Sequence, residues 1–140
     1  MENKIRLEIV TPHGLVFSED VDEVTAAGSE GEFGVLPGHS PFITTLKVGM
    51  LTCRGGSEVT HFFVNWGYTE VGHDKVLVLA DSSERSIDID VQRAQLALKR
   101  AEERLKKDEE IDFIRAQSAL ERALMRIQVS GKKGQGTYRE

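Results

Sequence analysis

The sequence predicts a β-plus-α chain, an N-terminal antiparallel β-sandwich of short strands followed by a C-terminal antiparallel two-helix hairpin. Three observations predict it. Between Ile5 and Leu79, β-branched and aromatic runs recur at roughly 8 to 12 residue spacing, each closed by Gly, Asp or Ser, as in a sandwich or barrel. From Val91 onward the apolar period lengthens to that of a helix. Charge divides the chain at the same place: residues 1–87 carry 6 Lys+Arg against 13 Asp+Glu, whereas residues 88–140 carry 12 against 10. The expected organisation is a sandwich over 1–87, a helical hairpin over 88–130, and a disordered Gly- and Lys-containing tail over 131–140.

Each element has its own signal. Ile5, Leu7 and Ile9 alternate with Arg6 and Glu8, which makes a half-buried strand. Val21, Val24 and Ala26 follow an acidic turn. Gly28 to Phe42 crowds Gly28, Gly31, Gly34 and Gly38 together with Pro37 and Pro41, so a shaped surface loop folds back between short extended pieces. Phe42 to Leu46, Met50 to Cys53, Val59 to Val64, Tyr68 to Val71 and Lys75 to Leu79 read as further strands, with Gly55-Gly56 as a hairpin turn. Ser82 to Ser86 reads as a polar connector. Asp88 and Asp90 are N-cap candidates, and Ala94, Ala97 or Leu98, Ala101 and Leu105 form one helical stripe. After Lys107-Asp108-Glu109-Glu110, a second helix from about Asp112 places Phe113, Ala116, Leu120, Ala123, Leu124 and Ile127 on one face. Alanine-rich stripes let helix axes approach closely but bury little area, so the hairpin is expected to be marginal alone and suited to docking and release.

Composition removes several classes of function. The acidic first half lacks the basic face of a nucleic-acid binder. A single cysteine, Cys53, rules out an internal disulfide framework, and its place in an alternating apolar stretch makes it a core residue rather than a reactive thiol. The first residues turn straight into strand pattern without an apolar targeting core, and no run approaches bilayer length, so any membrane association is expected through partners.

Catalytic signals are sparse. His13, His39, His61 and His73 have no metal-ligand spacing, and His61 beside Phe62 and Phe63 suits a hydrogen-bonded structural role. A metal-dependent β-sandwich enzyme would need Glu70, His61 and His73 to converge. The glycine loop is not a phosphate cradle: Gly38 is followed by His39 and Ser40 rather than Lys and Ser or Thr, and Glu30 and Glu32 would repel polyphosphate. Trp66 is read first as a core aromatic and second as a partner surface. Arg93 and Arg100 lie two turns apart on the first helix, and Arg122 and Arg126 one turn apart on the second. Gathered by a hairpin, they either hold an anion or pair with local carboxylates such as Glu103 and Glu121.

The run Gly-Ser-Glu-Gly-Glu-Phe-Gly-Val-Leu-Pro-Gly-His-Ser-Pro from Gly28, then Leu46-Lys47-Val48-Gly49, Leu77-Val78-Leu79-Ala80-Asp81 and Ile89-Asp90-x-x-Arg93-Ala94, closely resembles the epsilon subunit of bacterial-type rotary ATP synthases. The resemblance runs from Arg6 to about Val129 in the same order and spacing. It implies a non-catalytic rotor subunit whose sandwich docks on the gamma subunit and the c-ring, peripheral to the cytoplasmic face of the inner membrane, with Glu30, Glu32 and His39 as rotor-contact candidates. It implies a hairpin that is either folded on the sandwich or extended along gamma toward the alpha and beta subunits. Extension blocks ATP hydrolysis in the family, and Arg115, Arg122 and Arg126 would then face an acidic segment of beta.

In ATP-binding members an Ile/Leu-Asp-x-x-Arg-Ala motif opens the first C-terminal helix. By that resemblance Ile89, Asp90, Arg93 and Ala94, with Arg100, Arg122, Arg126 and Glu84, form the ATP-binding candidates. No cofactor is required, and ATP is the expected regulatory ligand; Asp90 is explained equally well as a plain N-cap. A free-standing nucleotide sensor would use the same arginines without affinity for a gamma-type stalk.

Overall fold

The computed structural model describes residues 3–106 and 110–132. Eight strands and two long helices follow in order: β1 Ile5–Thr11, β2 Gly14–Val21, β3 Glu23–Gly28, β4 Gly31–Val35, β5 Phe42–Leu46, β6 Gly49–Gly55, β7 Glu58–Val71, β8 Lys75–Arg85, α1 Val91–Lys106 and α2 Glu110–Ser130, with one 3₁₀ turn at Ser86–Asp88. The strands run β2-β1-β8-β7-β5-β3-β4, and β6 bridges β3 and β7. Pairing is antiparallel except between β1 and β8, which are parallel with Leu7 opposite Val76.

β7 organises the sandwich. Its first half pairs with β6, Gly49 opposite Val64, and its second half pairs with β5, Leu46 opposite Gly67. The changeover is at Trp66, a non-glycine residue with φ of 54°. Before it the even-numbered Phe62 and Val64 belong to the sandwich core; after it the odd-numbered Thr69 and Val71 are buried and Tyr68 and Glu70 are exposed. The alternation of a strand is thus reset by one residue. The core gathers Ile5, Leu7 and Ile9, Val24 and Ala26, Leu51 and Cys53, and Val76, Val78 and Ala80 around Phe62.

Several boundaries differ from the sequence reading. β2 and β4 were not expected as separate strands; β4 lies inside the glycine loop because Gly28–Gly31 closes a hairpin with β3, Val24 opposite Val35. Val59–Val64 and Tyr68–Val71 are one strand. The polar Ser82–Arg85 segment continues β8, since it pairs with Phe62–Asn65 and the Ser83 hydroxyl donates to the Phe63 carbonyl at 2.8 Å. Trp66 is not a core residue: its left-handed backbone turns it outward and it is 51% exposed.

Within the hairpin, the buried stripe consists of Ala94 and Ala101 on α1 and Ala116 and Ala123 on α2. Phe113 and Leu124, expected on that face, are 46% and 48% exposed, because the alanine seam leaves no room for larger side chains between the axes. α2 begins at Glu110, slightly earlier than expected; the Lys107–Glu109 linker and the tail beyond Lys132 lie outside the described residues. Among the described residues no helix is long and apolar enough to cross a membrane.

Candidate functional site

The site is created by docking. α2 lies against β6, β7 and the 3₁₀ turn, and a second, smaller cluster of buried Phe63, Ile89 and Val129, flanked by Val48, Met50 and Met125, fastens it there. Phe62 and Phe63 point to opposite faces of β7, so one strand carries both the sandwich core and the hairpin seat. Over Phe63 lies the Arg126 guanidinium, 4.3 Å from the ring centroid. Its Nε donates to Glu84 Oε1 at the end of β8, at 3.2 Å.

Beside this contact opens a cleft of about 680 Å³, lined by Glu84, Asp88, Asp90, Arg93, Ala94, Leu96, Ala97, Arg100 and Arg126. Asp90 is the cap of α1: its Oδ1 accepts the Arg93 amide at 3.1 Å and its carbonyl accepts that of Ala94 at 3.0 Å. That cap sets the phase of α1, so Arg93, Ala94, Ala97 and Arg100 share the face toward the cleft. Three guanidinium groups therefore converge from two helices. Arg126 is engaged by Glu84, whereas Arg93 and Arg100 take part in no ion pair among the described residues. Such a cleft can hold a multiply charged anion, with the apolar wall of Ala94, Leu96 and Ala97 available to a flat ring.

The match to known families falls on the whole of this architecture. The family model described as ATP synthase, Delta/Epsilon chain, beta-sandwich domain, matches residues 4–86, and the one for its long alpha-helix domain matches residues 88–131. The chain belongs to the ATP synthase delta/epsilon family. The ATP synthase epsilon chain of Geotalea daltonii is 51% identical over 137 residues, covering 96% of this chain and 99% of that one. That of Geobacter sulfurreducens is 51% identical over 134 residues, with coverage of 94% and 97%. A chain in the Euglena gracilis mitochondrial ATP synthase has the same fold, with a TM-score of 0.77 at 24% identity over 86% of this chain and 78% of that chain. By its membership this chain is a non-catalytic subunit of a membrane-associated synthase.

The structure of this epsilon-family chain treats the expected site residues unevenly. Glu84, Asp90, Arg93, Ala94, Arg100 and Arg126 all line the cleft. Ile89 does not; it is buried in the hairpin seat beside Phe63. Arg122, one turn before Arg126, is half-buried on α2 but is not part of the cleft lining. Glu30 and Glu32 are exposed at and beside the β3–β4 turn, whereas His39 lies beyond the other end of β4, its ring beside Phe42 at 5.3 Å and its Nδ1 2.7 Å from the Ser40 carbonyl. Glu32 itself lies within β4, and the remainder of that strand, roughly 10 Å from Glu32 to Val35, separates the turn from the segment that carries His39. Glu70, His61 and His73 do not converge either: His61 and Glu70 are separated by about 30 Å of one continuous strand. No group of His, Cys, Asp and Glu able to hold a metal ion occurs among the described residues. His61 instead accepts or donates at Nδ1 to the Thr52 hydroxyl, 2.9 Å away, and is buried.

Sequence reasoning missed Phe63 as the platform for Arg126, and Asp88 and Leu96 as part of the cleft wall. For Phe63 a signal existed: His61 to Val64 is a continuous run of buried-type residues, which marks a strand covered on both faces.

Proposed function

We propose that this chain works in the central stalk of a proton-translocating ATP synthase at the cytoplasmic face of the inner membrane, joining gamma and the c-ring, and that its hairpin is an ATP-responsive brake on hydrolysis. One observation carries the regulatory half. The cleft takes its walls from β8, the 3₁₀ turn, α1 and α2 together, so it exists only while the hairpin is docked. A ligand held there stabilises the docked state by mass action, about 2.7 kcal/mol at a hundred times its Kd, and opposes extension toward the alpha and beta subunits.

The rotor half is supported by surfaces. Glu30 and Glu32 form an exposed acidic tip suited to a c-ring contact, and His39, at the far end of β4, serves a second one. The outward sheet face carries Ile43, Tyr68 and Leu79, with Tyr68 directly opposite Leu79, an apolar row that suits a helical stalk such as gamma.

The decisive experiment titrates the protein with ATP by calorimetry, alongside Arg93→Ala, and in parallel measures hydrolysis by the assembled complex with α2 locked to β6 by an engineered disulfide. Saturable binding lost in Arg93→Ala, together with hydrolysis that rises when the hairpin is locked, is expected. Hydrolysis indifferent to the lock would dispose of the brake, and absence of binding at millimolar ATP would dispose of the ligand. The free-standing sensor would bind ATP but would not co-purify with a gamma and c-ring assembly.

A further inference from the structure

The three arginines of the cleft are not equivalent in the ligand-free fold. Arg93 and Arg100 have no carboxylate partner among the described residues, whereas Arg126 already has one, Glu84, at 3.2 Å. That carboxylate belongs to the sandwich, at the end of β8, and it lines the same cleft. It is therefore an anion built into the wall of an anion-binding cleft, seated on the one arginine that reaches it from α2. With Asp88 and Asp90 it brings three formal negative charges against the three guanidinium groups, so the cleft as a whole is neutral.

We propose that Glu84 is a resident competitor for Arg126, which holds down the affinity of the cleft for polyphosphate ligands so that it fills only at high ligand concentration. The proposal rests on the nucleotide reading of the same cleft. Two features decide its direction. The Glu84 and Arg126 side chains are 38% and 27% exposed, so their ion pair contributes little to docking, which the buried Phe63, Ile89 and Val129 cluster sustains without it. Glu84 can thus lose its charge while the cleft remains assembled. A phosphate entering the cleft, by contrast, must approach Arg126 against the field of the carboxylate that already occupies it, and that repulsion is relieved when the charge is gone.

Glu84→Gln keeps the side-chain length and an acceptor oxygen for Arg126 Nε while removing the charge. In calorimetric titrations of the full chain with ATP and, separately, with inorganic tripolyphosphate, Glu84→Gln is expected to bind both roughly twofold to fivefold tighter than the unmodified protein. Arg126→Gln should bind more weakly, and the double variant Glu84→Gln/Arg126→Gln should show no gain over Arg126→Gln alone. Trp66, the sole tryptophan, lines a second groove with Leu124, Met125 and Gln128 of α2, so its emission reports whether the hairpin stays seated in each variant. Binding by the unmodified protein with equal or weaker binding by Glu84→Gln, under unchanged Trp66 emission, overturns the proposal and leaves the nucleotide reading standing. A gain that survives in the double variant also overturns it, since the carboxylate would then act on another group. Failure of both the unmodified protein and Glu84→Gln to bind either probe removes the nucleotide reading, and the competitor with it.

Discussion

Truncating Val129 to alanine isolates what fastens the hairpin. Val129 is fully buried on α2, in a cluster with Phe63 and Ile89 that is separate from the sandwich core. Val129→Ala removes two carbons from that cluster, at about 0.8 kcal/mol each for transfer, and adds a cavity term, giving about 2 kcal/mol or roughly a thirtyfold change in the docked-to-undocked ratio. The neighbouring polar contact is weaker: the half-exposed Glu84–Arg126 pair contributes about 0–1 kcal/mol, so docking depends mainly on apolar burial. An undocked hairpin whose buried stripes are alanine keeps little helix protection of its own. Amide hydrogen exchange under native conditions reads the effect directly. Amides of α2 from Ala116 to Val129 should exchange about thirtyfold faster in Val129→Ala, while those of β1 and β8 keep their rates. If β1 and β8 accelerate by the same factor, the hairpin does not open as a separate unit and the reasoning fails. Unchanged α2 rates would show that the cluster is not what holds it.

Other expectations follow from single residues. Burial pushes the Cys53 thiol up to about 11, with the Glu19 charge adding to it, so maleimide labelling at neutral pH should be slow in the folded protein and rapid in denaturant. Burial, then the Lys132 charge, lowers the pKa of His61 below its unfolded value. The stability it protects is complete above about pH 6.5 and is lost as pH falls toward the folded-state value, and His61→Gln should flatten that part of a pH-melting profile. At Gly67 a Cβ would lie 2.3 Å from the Leu79 carbonyl oxygen and 2.8 Å from Ala80 Cα, both backbone atoms of a paired strand. Gly67→Ala should therefore cost at least the ~1–3 kcal/mol of an overpacked site, measured by chemical denaturation, whereas Gly56→Ala in the β6–β7 turn meets nothing within 4 Å and is opposed only by its φ of +65°.

Much of the fold was legible because local chemistry and global packing agree. The Ile5, Leu7, Ile9 alternation, the Asp90 cap and the Gly56 turn are all satisfied within a few residues of themselves. What misled were positions decided across the chain. Ser82 to Arg85 looks like a connector until β7 supplies its partner, and Trp66 looks like a core aromatic until a left-handed φ resets the faces of β7. The cleft was partly legible for a similar reason. Arg93 and Arg100 share a helical face that any wheel predicts, whereas Arg122 and Arg126 are equally placed on theirs, and only the seat of α2 on Phe63 selects Arg126. Glu30, Glu32 and His39 are close in sequence, yet Glu30 precedes β4 and Glu32 lies near its start, whereas His39 follows its other end.

The back-to-back placement of Phe62 and Phe63 has a consequence for how the protein is handled in a cell. If the hairpin lifts away, Phe63, Val48 and Met50 become wet together, near the already outward Trp66. A lone chain in that state is adhesive, and its self-association should rise with concentration once the hairpin is loosened. Under the proposed switch, helices that open inside an assembled motor would gain surfaces of their own to lie against. Opening is therefore best tolerated in company, and an orphan subunit has reason to keep itself closed.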